Sequence, residues 1–292
     1  MRRLIQQCLI LLTFATWAAM CNDSARAVDY FYEDFESVTL GDSLDEHEQP
    51  DPVVPVYTGV WTDVPPAGWT ADNSKVPGFD QGDDLDGVTE WAGWGFADND
   101  WWSTVAGDQR RKEFSRGHGV VAIADPDEWD DDPHRPITNI DNTYSVYMAT
   151  PTFSIADFLE GELFLQFDSS FRPECCDDGP AYNDQSPVIT ASFDGAAPVE
   201  ILRWSSDPTS PRFKDENSTN EHIALAINAP AGTQTLQLDF GLERAENDWW
   251  WAVDNVQVTN TVPEPSSGVL LAGVVASAWF CHRLRRNQRT RI

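Results

Sequence analysis

Leu236-Gln237-Leu238-Asp239-Phe240 alternates apolar and polar side chains without a break. Successive side chains of a strand point to opposite faces, so this stretch puts Leu236, Leu238 and Phe240 on one buried side. Working outward, Leu163-Phe164-Leu165-Gln166-Phe167 and residues 188–193, 199–204 and 223–227 carry similar short apolar patterns. So do residues 120–123, 144–153 and 250–258. Turn-forming residues punctuate them, as at Asp194-Gly195 and Pro230-Ala231-Gly232. No stretch outside the two chain ends keeps a helical period over three turns. Short strands at regular spacing with turn signals between them predict an antiparallel β-sandwich. Residues 37–118 are rich in Gly, Pro, Asp and Trp and read as long loops with one or two short strands. No repeat of solenoid or propeller length is present.

Composition narrows the class. The 292 residues carry 48 acidic against 19 basic side chains, a formal charge of -29. A nucleic-acid binder needs a basic footprint to displace counter-ions from phosphates, so that class is excluded. Disorder throughout is excluded as well, because 41% hydrophobic and 12% aromatic residues supply a core. Five cysteines are too scattered for a disulfide scaffold.

Both ends read as addresses. Arg2 and Arg3 precede a mostly apolar stretch over residues 4–20, and Ala25-Arg26-Ala27 offers the small residues that a signal peptidase accepts. Residues 1–27 are therefore expected to be a signal peptide, cleaved after Ala27. At the other end, Val262-Pro263-Glu264-Pro265 is followed by an apolar run over 268–281 and by Arg283, Arg285, Arg286, Arg289 and Arg291. A helix over that run is about 21 Å long, short of the roughly 30 Å hydrocarbon core. The arginines would stay on the cytoplasmic side while the rest is exported. Motif, helix and tail together resemble the PEP-CTERM sorting signal of Gram-negative bacteria with exopolysaccharide systems. The resemblance covers residues 261–292 and implies recognition of Pro263, Glu264 and Pro265 by an exosortase. It also implies transient anchoring in the inner membrane through a short transmembrane helix, then sorting to the cell surface or extracellular matrix. An ordinary short C-terminal anchor is the plainer alternative.

Without its ends the chain is more acidic. Residues 28–262 keep 11 basic and 46 acidic side chains, a formal charge of -35. Such self-repulsion costs stability unless cations bind, and calcium suits carboxylate and carbonyl oxygens in an export compartment. The remaining cysteines are the neighbours Cys175 and Cys176; a vicinal disulfide, two free thiols and pairing with another chain all stay open.

The opening stretch Tyr30-Phe31-Tyr32-Glu33-Asp34-Phe35-Glu36 and the closing Trp249-Trp250-Trp251-Ala252-Val253-Asp254-Asn255-Val256 resemble the boundaries of jelly-roll modules. MAM-like, concanavalin-like and "choice-of-anchor" domains of bacterial surface proteins are of this type. Glu90-Trp91-Ala92-Gly93-Trp94 and Ala124-Asp125-Pro126-Asp127-Glu128-Trp129-Asp130-Asp131 are similar to stretches of modules found in secreted planctomycete-type proteins. The resemblance implies a jelly-roll domain over residues 28–260. It further implies a structural calcium bridging the first and last strands through Asp34, Glu36 and Asp254, with Glu33 beside them. Two acidic loops are further calcium candidates: residues 80–87, and Asp125, Asp127, Asp130, Asp131 and Asp132. A solvated acidic surface is the plain alternative for each.

Eleven of the 13 tryptophans lie between the two ends. Trp94, Trp101, Trp102, Trp249 and Trp250, with Asp248 beside the last pair, are candidate glycan-binding residues. Sugar rings stack on exposed aromatic faces while carboxylates bind hydroxyls. In an extended triplet Trp250 faces opposite to Trp249 and Trp251, so the three cannot all enter one core. Core packing is the competing reading. Enzyme motifs are missing: none of the five histidines forms a metal-ligand pair, and there is no nucleophile elbow or phosphate loop. Glu128-Trp129-Asp130-Asp131 comes nearest to a glycosidase motif, and its flanking prolines suggest a loop. The expectation is a chain that is not an enzyme but an exported, calcium-stabilised binding or adhesion module of the extracellular polysaccharide layer. The alternative is a structural or protein-interaction component of the envelope, and a glycoside-active enzyme is the third reading.

Overall fold

A computed structural model describes residues 28–44, 57–76, 87–107, 109–130, 144–159, 161–173, 184–245 and 248–260. Several expectations lie outside them: cleavage at Ala27, the Pro263-Glu264-Pro265 motif, the helix over 268–281, Cys175 and Cys176. So do residues 80–86 of one acidic loop, and Asp131 and Asp132 of the other. Among the described residues no helix is long and apolar enough to cross a membrane.

The architecture is all-β, two antiparallel sheets packed as a sandwich. The strands are β1 (Asp29–Glu33), β2 (Trp61–Thr62), β3 (Thr70–Asp72), β4 (Gly95–Asp98), β5 (Val120–Ala124), β6 (Tyr144–Ala149) and β7 (Phe153–Ser154). They continue with β8 (Phe164–Phe171), β9 (Ser186–Phe193), β10 (Val199–Arg203), β11 (Glu221–Ala226), β12 (Thr235–Ala245) and β13 (Trp251–Thr259). The larger sheet runs β11-β8-β13-β5-β4-β2, with β1 also on β13; the smaller runs β10-β9-β12-β6-β3, with β7 on β12. Consecutive strands β4 and β5 lie side by side, but β13, the last strand among the described residues, sits between β8 and β5.

The alternation that predicts strands is realised in β12. Leu236, Leu238, Phe240 and Leu242 are buried, and Gln237, Asp239 and Glu243 face outward. Tyr144, Val146 and Met148 of β6 and Ile189, Ala191 and Phe193 of β9 complete that inner face. Residues 144–153 form two strands instead of one, separated at Pro151, whose ring fixes φ and removes a ladder donor.

The stretch 37–118 holds more order than the sequence suggests. It contributes three short strands and helix α1 (Asn99–Val105), capped by the Asp98 carboxylate accepting from Trp101 N–H at 2.8 Å. A second helix, α2 (Pro126–Asp130), replaces the loop expected around Glu128-Trp129. Proline at the first helical position explains the start, since its missing N–H would be unpaired there anyway. Helix α1 packs Trp102 edge-to-face on Trp250 at the outer side of the larger sheet. Every residue of β5 is buried, on both faces.

β13 begins at Trp251 and carries a bulge between Asp254 and Gln257, with Asn255 at φ 53°. Its first half pairs with β5 and its second half with β1. Both ends of the described domain meet here: the Val28 N–H donates to Asn260 Oδ1 at 2.8 Å and the Asn260 N–H to Val28 O at 3.2 Å.

Candidate functional site

The six residues expected to bind glycan are all buried. Trp94, Trp102, Trp250 and Asp248 are at most 1% exposed, Trp101 is 5% and Trp249 is 9%. The reason is packing on both sides of the larger sheet. Trp251 and Trp94 turn inward, packing edge-to-face at 5.5 Å beside Phe240 and Trp204. Trp250 sits on the other side of the sheet under α1, edge-to-face with Trp102 at 5.8 Å, its indole N–H on Ser170 Oγ. Two cores, one on each side of the sheet, thus absorb adjacent residues that point opposite ways. Trp101 stacks on Trp91 at 5.6 Å. None of these rings offers a face to a sugar, which corrects the expectation of a tryptophan platform.

The acids around α2 serve a different purpose from the one expected. Arg111, fully buried, donates from Nε and Nη2 to the two oxygens of Asp125 at 3.0 Å, and reaches Asp127 at 3.0 Å and Glu128 at 3.2 Å. Its guanidinium lies 4.3 Å from the Trp250 ring centroid. Burial opposes its charge, yet the surrounding Asp125, Glu128 and Asp127 hold its pKa above the usual arginine range. Asp125 and Asp127 of the second acidic candidate, with Glu128, thus form an ion cluster around Arg111 that ties α2 to the tryptophans.

The first and last strands do bring carboxylates together. The bulge at Asn255 turns Asp254 inward, where its Oδ2 accepts from the His118 N–H at 3.0 Å and its Oδ1 from the Asn255 N–H at 2.6 Å. Two residues along the same strap, the Val120 N–H donates to Glu36 Oε1 at 3.1 Å. Residues 118–120 thus run between the two acids. Gly119, at φ 57°, is required there: a Cβ would stand 2.2 Å from Glu36 Oε1.

Asp254 also faces Asp168, its direct register partner on β8, an arrangement in which like charges repel. Asp168 is compensated by His222 Nδ1 at 3.0 Å, Asn255 Nδ2 at 3.1 Å and Arg116 at 3.6 Å. Arg116 forms an ion pair with Asp168, and among the described residues no side chain forms one with Asp254. Burial pushes its carboxyl up to about 7; the two N–H donors oppose this, and Asp168 and Glu36 add to it.

Of the four expected calcium ligands, Glu36 and Asp254 meet at this strap. Glu33 and Asp34 instead accept from the Phe35 and Glu36 N–H groups in the turn after β1. Among the described residues no group of three or more His, Cys, Asp or Glu side chains is gathered to hold a metal. A cation here would thus need oxygens besides these side chains. Calcium takes roughly six to eight oxygens, and Glu36 and Asp254 supply only part of that set. His118, Gly119 and Asp168 escape sequence reading because each meets Asp254 or Glu36 only through strand pairing.

The sequence matches no family model and no curated protein. Solved structures that align with it share low identity. The K3 cleaved adhesin domain of Lys-gingipain from Porphyromonas gingivalis aligns over 80% of this chain and 98% of its own, at 14% identity and TM-score 0.38. A carbohydrate-binding module, TmCBM61, solved with β-1,4-galactotriose, covers 67% and 90% at 7% identity and TM-score 0.37. A cyclase from Fischerella sp. covers 81% and 97% at 13% identity and TM-score 0.40. Two further cyclases from Fischerella align at 10% and 11% identity and TM-score 0.37, and the expectation that the chain is not an enzyme is withdrawn. That expectation rested on missing motifs, which exclude only the sites that carry them.

Proposed function

We propose that residues 28–260 act outside the cell as a surface-sorted binding or adhesion module of an extracellular polysaccharide layer. A calcium ion holds the first and last strands of the sandwich together. Signal peptidase releases the chain after Ala27, and exosortase sorts it through Pro263-Glu264-Pro265. The observation that carries the calcium reading is Asp254, a buried carboxylate beside Glu36 and opposite Asp168. Bound calcium supplies positive charge to Asp254 and Glu36. Those two residues, with the strap over 118–120 between them, then fasten the end of β1 to β13. The requirement matches an export compartment, where calcium is abundant relative to the cytosol.

Binding by this module does not use the tryptophans, which are enclosed. Their enclosure favours a second reading, a structural or protein-interaction component of the envelope. A polysaccharide and glycan array probed with purified 28–262 in millimolar calcium separates the two. Saturable binding that disappears with chelator supports the calcium-dependent binding module. A blank array from protein shown to be folded refutes glycan binding and leaves the envelope component.

A further inference from the structure

The outward face of the smaller sheet carries a polar arrangement that the strap at Asp254 does not use. Two rows of register partners cross it. Thr70, Ala149, Asp239, Thr190 and Glu200 form one; Asp72, Tyr147, Gly241, Val188 and Arg203 form the next. Asp239 stands at the centre of the first row, on β12, between the small side chains of Ala149 and Thr190.

The Asp239 side chain makes no hydrogen bond or ion pair among the described residues, while its backbone pairs with β6 and β9. Burial pushes its carboxyl up to about 6, and Asp72 and Glu243 repel it further. Its neighbours are all provided for: Glu243 accepts from the Tyr147 hydroxyl at 3.2 Å and from Arg203 at 2.9 Å, and Asp72 from Ser74. Asp239 is partly buried and outward-facing, so its carboxylate is an acceptor at the middle of the sheet that a ligand from solvent can reach.

Diagonal to Asp239, the Tyr147 ring lies across Gly241, where a Cβ would come within 2.8 Å of Cδ1. Glycine thus lets an aromatic ring lie low over the sheet beside a free acceptor. Lys75 Nζ, on an exposed side chain, stands 4.8 Å from the ring centroid and can swing away.

We infer that this face is a glycan subsite, with Asp239 accepting hydroxyl hydrogen bonds from a neutral pyranose whose C–H face packs on Tyr147. This rests on the binding-module reading and gives it a place. Charge selects the occupant. Asp72, Asp239 and Glu243 outnumber Lys75 and Arg203, on a segment whose formal charge is -35 over residues 28–262, so an anionic sugar is repelled. A free carboxylate accepts and cannot donate, so the ligand must bring donors, as vicinal hydroxyls do.

Titration calorimetry of 28–262 in calcium with β-1,4-galactotriose, cellotriose and trigalacturonate tests this, with the wild type and Asp239→Ala. The expected result is saturable binding of a neutral trisaccharide, weakened at least tenfold in Asp239→Ala, while the melting temperature of the variant is equal or higher. Undiminished binding by a folded Asp239→Ala overturns the site but leaves the glycan reading intact. Binding of trigalacturonate alone overturns the neutral-sugar assignment. If folded wild type binds neither these probes nor any glycan on the array, both the site and the reading fail.

Discussion

Replacing Asp254 with asparagine isolates the cost of the buried acid. Its carboxyl stands at about 7 in the folded chain against an ordinary 3.8, which corresponds to about 4 kcal/mol at pH above 7. The sign follows from the raised value. Well below pH 3.8 the group is protonated in both states and nothing is lost. As pH rises toward 7 the unfolded chain gives up this proton first, so folded stability falls; above 7 the whole cost is present. For a domain of this size about 4 kcal/mol is worth about 8–16 °C in melting temperature. The substituted amide keeps an acceptor for the His118 N–H while removing the charge. Calorimetric melting of 28–262 with chelator, from about pH 5 to 8, should show the wild type losing stability that Asp254→Asn retains. Millimolar calcium should restore the wild type at pH 8 and leave the variant unmoved. Parallel melting curves for the two proteins across this range, with or without calcium, would refute both the buried repulsion and the calcium clamp.

Two further substitutions probe the layers around it. Gly119→Ala places a methyl against the Glu36 carboxylate at a positive φ; it should cost about 1–3 kcal/mol and weaken calcium stabilisation, read from chemical denaturation with and without the ion. Arg111→Met leaves Asp125, Asp127 and Glu128 buried without their guanidinium. It should destabilise the chain by about 3–5 kcal/mol, and adding Asp125→Asn should recover part of that loss.

The jelly-roll boundaries read in residues 30–36 and 249–256 correspond to strands that do pair, β1 on β13. Of the acids named there, Glu36 and Asp254 converge on the strap, whereas Glu33 and Asp34 close a local turn. Spacing along the chain cannot distinguish an acid that caps its own turn from one that reaches across the sandwich. The tryptophans show the same limit. Their clustering is plain in the sequence, but their exposure depends on how the segment 87–130 packs against them. Its helices are only seven and five residues long, too short to display a helical period.

Local alternation was enough to define the sandwich, because the two-residue period of a strand is written into adjacent side chains. Residues 163–167, 188–193, 223–227 and 236–240 all fall in or against strands. What needed the tertiary structure was every meeting of distant residues. Asp254 finds the His118 N–H across 136 positions, and the Asp239 side chain stands without a partner because of which strands flank β12. Burial and charge repulsion depend on the space around a group, and only the folded chain decides what fills it.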